Sequence, residues 1–171
     1  MKIFVLGMPG SGKTTLGRQL AAAMKLPFVD LDHAIEAEAG KSVQVIFKEQ
    51  GEPAFRVREA RLLRDWCGRE EDFVMATGGG APCYSDNIQV INRSGISLFL
   101  DVAPKVIAER ILKTDLATRP LFAQVRPENL KDNIEFMRSQ RVTFYRQAHV
   151  TVGPEMPVDE VVQVIKMTGR R

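Results

Sequence analysis

The chain has 171 residues, 44% of them hydrophobic and 26% charged, which is the composition of a globular protein. No apolar run is long enough to cross a membrane, and a formal net charge of +3 at pH 7 is too small to indicate nucleic acid as a partner. The two cysteines, Cys67 and Cys83, have neither metal nor redox spacing, which favours a reducing, cytoplasmic location. We expect a single domain over residues 1–171.

Short apolar runs alternate with helical patterns along the chain. A strand over KIFVL leads into a helix from about Lys13 to Met24, and the strand segments PFVDLD, FVMAT, SLFLDV and HVTV follow, with a helical stretch from about His33 after the first of them. This alternation predicts a parallel sheet of five strands covered by helices on both faces, a three-layer α/β sandwich. Right-handed crossovers would then place ligands at the carboxyl ends of the strands.

Two segments interrupt the alternation. A helix-rich excursion over about 33–62 separates the second and third strands, and the pattern continues with apolar residues on one helical face, namely Phe55, Leu62, Leu63 and Trp66. We expect this excursion to cover a substrate. The second segment lies between Arg110 and Glu128 and contains two prolines and little periodicity. This composition predicts a mobile lid over about 112–126.

The stretch GMPGSGKTT matches the pattern G-x-x-x-x-G-K-[ST] and stands between a predicted strand and a predicted helix. Its backbone N–H groups would point at phosphate oxygens, Lys13 would reach the β- and γ-phosphates, and the Thr14 hydroxyl would ligate magnesium. This motif predicts a purine nucleoside triphosphate with magnesium, but it does not separate a kinase from an ATPase or a GTP switch. The residues expected to hold the nucleotide are Gly10, Ser11, Gly12, Lys13, Thr14 and Thr15.

Two carboxylates, Asp30 and Asp32, stand two apart at the end of the second strand, so their side chains are expected on one face beside the phosphate loop. One carboxylate could bind the water molecules that surround a magnesium ion. The other could accept the proton of the acceptor hydroxyl group or orient that group for attack. Asp32 could instead cap the following helix. Asp101, after the fourth strand, is an alternative for magnesium, although a helix cap explains it equally well.

The run Gly78 to Gly80 follows the third strand and would leave bare backbone against a ligand, unless it is only a turn. Arg56 and Arg141 are candidates for binding an anionic group, since a guanidinium matches a carboxylate, and Glu59 could hold the rotamer of Arg56. Both arginines could instead be exposed surface residues. We favour that surface interpretation for Arg58, Arg61 and Arg64.

Two further arginines are candidates for contacts with the nucleotide. Arg119, in ATRPL, could swing with the lid over the γ-phosphate and neutralise charge during transfer, or could simply be solvated. Arg110 could lie over the adenine ring or place positive charge at the end of its helix. The two histidines, His33 and His149, lack partners at metal-ligand spacing and are interpreted as local hydrogen-bonding residues.

Six pieces in this order resemble the shikimate kinase family to about position 150: GMPGSGKTTLGR, PFVDLD, GKSVQVIFKEQGEPAFRVRE, TGGGAP, ATRPL and the R-x-x-x-Y of Arg141 to Tyr145. The resemblance implies a small cytoplasmic P-loop kinase of the nucleoside-monophosphate-kinase type. It also implies transfer of the ATP γ-phosphate to the 3-hydroxyl of shikimate, in the chorismate pathway to aromatic amino acids. We expect a monomer.

The same resemblance implies a role for each candidate. The catalytic residues would be Lys13, Asp32 and Arg119, and magnesium would lie near Thr14 and Asp30. Shikimate would contact Asp32, Arg56, Arg141 and the run Gly78 to Gly80. Arg119 would cover the ATP phosphates, and Arg110 is a further candidate for a nucleotide contact. A gluconate or nucleoside-monophosphate kinase on the same scaffold is the alternative within enzymes. A nucleotide-dependent switch is the alternative from another class, although the chain has no N-K-x-D type segment.

The chain departs from the family pattern in the lid, where Phe122 replaces an aliphatic residue, and at Val142 to Phe144, which lacks the usual proline. We expect neither departure to touch a ligand-binding position. Residues Gly153 to Pro157 would form part of the adenine pocket by analogy, but they match poorly and are left unassigned.

Overall fold

A computed structural model describes residues 1–114, 116 and 119–169. The strands are β1 Lys2–Leu6, β2 Phe28–Asp30, β3 Phe73–Ala76, β4 Ile96–Leu100 and β5 Val150–Val152. These five strands form one parallel sheet, as predicted. Their order in the sheet is β2-β3-β1-β4-β5. The helices are α1 Lys13–Met24, α2 Leu31–Ala39, α3 Val43–Cys67, α4 Asn87–Ser94, α5 Pro104–Leu112, α6 Leu130–Tyr145 and α7 Val158–Thr168.

The central strand β1 explains why the sheet is covered on both faces. Its residues 3–6 have no exposed surface, so side chains pointing in both directions must meet helices. Its register pairs Ile3 with Val74 of β3 on one side and with Ile96 of β4 on the other. The carboxyl ends of β1 and β3 therefore meet at one edge, where the phosphate loop and the glycine run begin.

The excursion predicted over about 33–62 consists of α2 and α3. Its first helix starts at Leu31, two residues earlier than expected, so Asp32 lies in a helix and not on a strand. The long helix α3 is broken at Gly51, whose φ of 83° and ψ of 169° are open to glycine but strained for other residues, and Pro53 opens the second part. Arg58 and Arg61 bind Glu38 and join α3 to α2.

The predicted lid begins at the end of α5 and continues as short turns. The N–H of Arg119 donates to the carbonyl of Leu116 and that of Phe122 to the carbonyl of Arg119. Phe122 is 1% exposed, so this part of the segment is anchored in the core. Residues 115, 117 and 118 of the predicted lid, two of them in ATRPL, lie outside the described residues, as do Arg170 and Arg171. The lid's mobility stays a prediction.

Membrane insertion through a helix finds no support in the fold. No helix within 1–114 and 119–169 combines the length and apolar character that a membrane span requires.

Candidate active site

A cleft of about 420 Å³ opens at the carboxyl ends of the strands. Its walls come from the phosphate loop, the start of α2, both parts of α3, the glycine run and the segment from Arg119 to Phe122. The sequence therefore identified residues from five separate segments that the fold brings to one cavity. Phe122 lines this cleft, so the expectation that this departure from the family pattern avoids the ligand-binding region was wrong.

Lys13 lies at the floor of the cleft, where its Nζ donates to the carbonyl of Met8 at 2.9 Å. Burial lowers the pKa of Lys13 to about 8, although the nearby carboxylates of Asp32 and Asp30 favour its charged form. An anionic ligand beside this ammonium would favour the charged form further. The site thus holds a cation that an incoming phosphate group stabilises.

Asp30 connects the end of β2 to the phosphate loop. Its Oδ2 accepts a hydrogen bond from the Thr14 hydroxyl at 3.0 Å, and its Oδ1 accepts from the backbone N–H of His33 at 3.2 Å. Asp30 is therefore the residue that caps α2, and the alternative in which Asp32 is that cap was wrong. A hydroxyl beside a carboxylate is a set of hard oxygen donors that fits magnesium.

Asp32 reaches the cleft from the first turn of α2, so it approaches the glycine run by helix geometry and not by the strand alternation that we expected. Burial, with the neighbouring carboxylate of Asp30, raises the pKa of Asp32. A Cβ placed on Gly78 would lie 3.0 Å from Asp32 Oδ1 and 3.0 Å from Glu59 Oε2. The bare backbone at Gly78 is what lets both carboxyl groups face the cavity.

Arg56 is buried on the wall of the cleft and is held from several directions. Its Nη1 donates to Glu59 Oε1 at 2.9 Å, while its Nε and Nη2 donate to Glu52 Oε1 at 3.3 Å and 3.1 Å. The guanidinium carbon lies 4.3 Å from the centre of the Tyr84 ring and 5.2 Å from that of Phe55. The predicted partnership with Glu59 is confirmed, and the surface alternative for Arg56 is wrong.

The hydrogen-bond count of Arg56 leaves a binding edge. A guanidinium has five N–H donors, one on Nε and two on each Nη. Glu59 and Glu52 accept three of them, one from each nitrogen, so one N–H on Nη1 and one on Nη2 have no hydrogen bond to these two carboxylates. Guanidinium N–H groups are donors that the oxygens of a carboxylate can accept.

Glu59 is the functional candidate that sequence reasoning undervalued. It has no exposed surface, its Oε2 has no hydrogen-bond partner among the described residues, and it lines the cleft. Burial raises the pKa of Glu59 to about 7, against the opposing charge of Arg56. Its spacing of three from Arg56 indicated a rotamer lock, but nothing in the sequence indicated a buried carboxyl facing Asp32.

Arg141 stands behind the cleft wall. It is 8% exposed, its Nη1 has no hydrogen-bond partner within the described chain, and it does not line the cavity. Its charge nevertheless reaches the site, because it contributes to the lowered pKa of Lys13 and opposes the rise in the pKa of Glu59. The surface alternative is thus wrong for Arg141 as well. Tyr145, one turn further along α6, donates its hydroxyl to the carbonyl of Gly79 at 2.6 Å.

The glycine run is shaped by the protein's own side chains. A Cβ on Gly79 would lie 2.6 Å from Cδ of Pro9 in the phosphate loop, and a Cβ on Gly80 would lie 2.4 Å from Nη2 of Arg56. Both distances are too short for real contacts, so neither position has room for a side chain. The run lines the cleft as expected, but close packing against Pro9 and Arg56 is a sufficient reason for two of its glycines.

A second cavity, of about 270 Å³, lies on the other side of the phosphate loop. It is lined by Ser11, Gly12 and Thr15 from the loop and α1, by Arg110 from α5, and by Gly153, Pro154 and Met156 after β5. Arg110 Nη1 donates to the carbonyl of Ser11 at 2.8 Å, so this side chain points to the loop. The unassigned segment after β5 thus forms a wall beside the nucleotide-binding motif.

The remaining candidates lie apart from the cleft or at its edge. Arg119 lines the cleft, and its Nε donates to Thr114 Oγ1 at 3.2 Å. Asp101 binds Arg138 at 3.0 Å and does not cap α5, so the helix-cap alternative was wrong. It lines neither of the two cavities described above. His149 bonds with Ser97, as expected of a local partner. No cluster of three or more metal-ligating side chains occurs among the described residues.

A phosphate loop beside carboxylates and buried cations, on a five-stranded parallel sheet, defines a P-loop kinase of small molecules. The model of the family "SKI: Shikimate kinase" matches residues 9–168. The chain therefore belongs to the shikimate kinase family and is an ATP-dependent kinase.

Individual relatives agree with the family match. The shikimate kinase of Bacteroides fragilis is 44% identical over 149 residues, covering 87% of this chain and 82% of that protein. The shikimate kinase of Phocaeicola vulgatus is 43% identical over 163 residues, covering 95% and 92%. The structure of shikimate kinase from Acinetobacter baumannii in complex with shikimate is 33% identical, with a TM-score of 0.85 over 97% of this chain and 90% of that chain.

Proposed function

We propose that this chain transfers the γ-phosphate of ATP to the 3-hydroxyl of shikimate, producing shikimate 3-phosphate and ADP. The observation that carries this proposal is the buried Arg56, which stands on the wall of the same cleft as Lys13 and Asp32. Two of its N–H groups make no hydrogen bond to Glu59 or Glu52. A cleft with a phosphate-binding cation and a carboxylate-binding fork fits an acceptor that is both an alcohol and an acid. The resemblance noted above identifies shikimate as that acceptor.

Arg56 and Arg141 would share the carboxylate of shikimate. Arg141 contributes a buried guanidinium whose Nη1 lacks a partner in the described chain, and an unpartnered buried donor is costly unless a ligand or water satisfies it. Phe47 and Phe55, whose ring centres lie 4.8 Å apart, cover the apolar side of the acceptor ring. This division of polar and apolar contacts would orient the hydroxyl groups toward Asp32.

Asp32 would accept a hydrogen bond from the 3-hydroxyl and hold that oxygen in line with the γ-phosphate. Because the transition state of phosphoryl transfer is loose, orienting the hydroxyl group contributes more to the rate than removing its proton. Lys13 and Arg119 would stabilise the charge that develops on the transferred group and the leaving oxygen. The segment from Arg119 to Phe122 would exclude water from the cleft.

Thr14 and Asp30 would hold magnesium, Thr14 through its hydroxyl and Asp30 through the surrounding water. When bound, this ion would supply positive charge that offsets the negative charge of the ATP phosphates. ATP would lie across the phosphate loop with its base in the second cavity, between Arg110 and the wall after β5. Both cavities are built from one chain, so we also propose that a monomer is active. From the resemblance we further propose that the protein acts in the cytoplasm, in the pathway to aromatic amino acids.

The test is the choice of acceptor. The protein is supplied with magnesium and ATP, and ADP release is measured with shikimate, gluconate and a panel of nucleoside monophosphates. We expect rapid release with shikimate only, and a Lys13→Ala variant measured in parallel should release none. Faster release with gluconate or a nucleoside monophosphate would contradict the proposal. Equal release with and without any acceptor would indicate a nucleotide hydrolase or switch instead.

A further inference from the structure

We propose that Tyr84 is a positioning residue that aims the free edge of Arg56 at the acceptor carboxylate. This inference rests on the proposed function of Arg56. Tyr84 follows the glycine run and the short 3-10 turn Ala81–Cys83, and its ring lies against the guanidinium of Arg56. Sequence patterns around the glycines gave no indication of such a role.

Tyr84 contacts Arg56 in two ways. The face of its ring lies 4.3 Å from the guanidinium carbon, the distance of a cation–π interaction. Its hydroxyl donates to Glu52 Oε1 at 3.3 Å, and this same oxygen accepts from Nε and Nη2 of Arg56. The ring therefore restrains the plane of the guanidinium. The hydroxyl restrains the Glu52 carboxylate, which accepts from Nε and Nη2 of Arg56.

The turn that carries Tyr84 is held in an unusual conformation. The next two residues, Ser85 and Asp86, have φ of 52° and 55°, in the left-handed region that non-glycine residues rarely occupy. Arg64 supports the turn, because its Nη2 donates to the carbonyl of Ser85 at 2.6 Å and its Nη1 donates to Asn87 Oδ1 at 2.7 Å. Arg64 thus has a structural function beyond that of a solvated surface arginine.

Gly80 also contacts the guanidinium of Arg56. A Cβ on Gly80 would collide with the guanidinium, so Arg56 lies directly on backbone there, with the Tyr84 ring on one side. Tyr84 is 38% exposed, and an exposed aromatic ring on a strained turn contributes little to the core. Its contacts are better explained by the orientation of Arg56 than by stability of the fold.

The experiment compares Tyr84→Leu, which removes the ring face, with Tyr84→Phe, which removes only the hydroxyl. Cation–π contacts of this kind correspond to about a 3- to 30-fold change in binding, so Tyr84→Leu should raise the KM for shikimate by about that factor. The KM for ATP should stay within about 2-fold, and Tyr84→Phe should lose about 3-fold or less for shikimate. Phe136→Leu, on the exposed face of α6, is the matched control for loss of a surface aromatic residue.

A double variant separates positioning from general damage. If Tyr84 acts through Arg56, then Tyr84→Leu should change kcat/KM for shikimate by less than about 2-fold once Arg56→Ala is present. An equal effect in both backgrounds, an unchanged shikimate KM in Tyr84→Leu, or parallel losses for shikimate and ATP would overturn the inference alone. If Arg56→Ala itself left the shikimate KM unchanged, the proposed function of Arg56 would fail and the inference with it.

Discussion

At the scale of single residues, the surroundings of Glu59 change its chemistry more than its position in the sequence suggests. A glutamate one turn from an arginine is ordinarily an ionised surface partner. Here the side chain has no exposed surface, and desolvation outweighs the attraction of Arg56, so the pKa of Glu59 rises to about 7. Its neutral form is thus accessible near neutral pH.

This shift predicts a pH dependence of stability. The unfolded chain releases the Glu59 proton near pH 4.5, whereas the folded protein keeps it until about pH 7. The folded state therefore binds more protons between these values, and the contribution of Glu59 to stability falls as the pH rises from about 4.5 to about 7. At about 1.4 kcal/mol for each pKa unit, the loss is on the order of 3 kcal/mol.

Glu59→Gln should remove this part of the pH dependence, since an amide does not titrate. We expect the free energy of unfolding, measured with urea at intervals from pH 4.5 to 8, to fall less steeply in the variant than in the unchanged protein. Glu70→Gln is the matched control, because Glu70 is exposed and should leave the slope as it is. Parallel curves for Glu59→Gln and the unchanged protein would show that Glu59 titrates alike in both states.

At the scale of elements, the break in α3 brings residues from both parts of the helix to the wall of the cleft. Phe47 lies before the break and Phe55 after it, and both rings face the cleft. An uninterrupted helix would carry them on one straight axis. The backbone of Gly51 is therefore a geometric requirement of the site.

Gly51→Ala tests this requirement. The added Cβ would have open space, with only Pro53 Cδ at 3.8 Å, so the cost comes from the backbone conformation alone. We expect destabilisation of about 1–3 kcal/mol by urea unfolding, together with a raised KM for shikimate. Gly68→Ala, whose φ is −78°, should be nearly neutral. A stability loss in Gly68→Ala as large as that in Gly51→Ala would argue against a conformational cause.

The helical pattern of the excursion was predictable, but its break was not. Apolar residues such as Phe55, Leu62 and Leu63 recur at helical spacing because one face packs on the core, and this pattern is local. A glycine two residues before a proline suggests a helix boundary at most. Whether the chain turns or continues there depends on contacts made with distant segments.

At the scale of the whole molecule, ligand binding should stabilise the fold through separate sites. A ligand at 100 times its Kd adds about 2.7 kcal/mol, which corresponds to a rise in Tm of about 5–10 °C for a chain of this size. We expect shikimate to raise the Tm of the unchanged protein but to have little effect on Arg56→Ala. ATP with magnesium should raise the Tm of both. Loss of both responses in Arg56→Ala would mean that Arg56 supports the fold as a whole.

The amino-acid sequence by itself was sufficient for the parallel sheet, the phosphate loop and the family. These depend on local spacing, such as the alternation of strands with helices and the contiguous residues Gly7 to Thr14, which function wherever a strand leads into a helix. Arg56 was also identifiable, together with its partner Glu59.

Only the tertiary structure decided how these groups are used. It assigned the helix cap to Asp30, raised the pKa of Glu59, brought Phe122 to the cleft, paired Arg56 with Glu52 as well as Glu59 and placed the ring of Tyr84 over its guanidinium. The physical reason is that burial and hydrogen-bond satisfaction depend on groups far apart in the chain: Tyr84 is 28 residues from Arg56, and no local pattern records that contact.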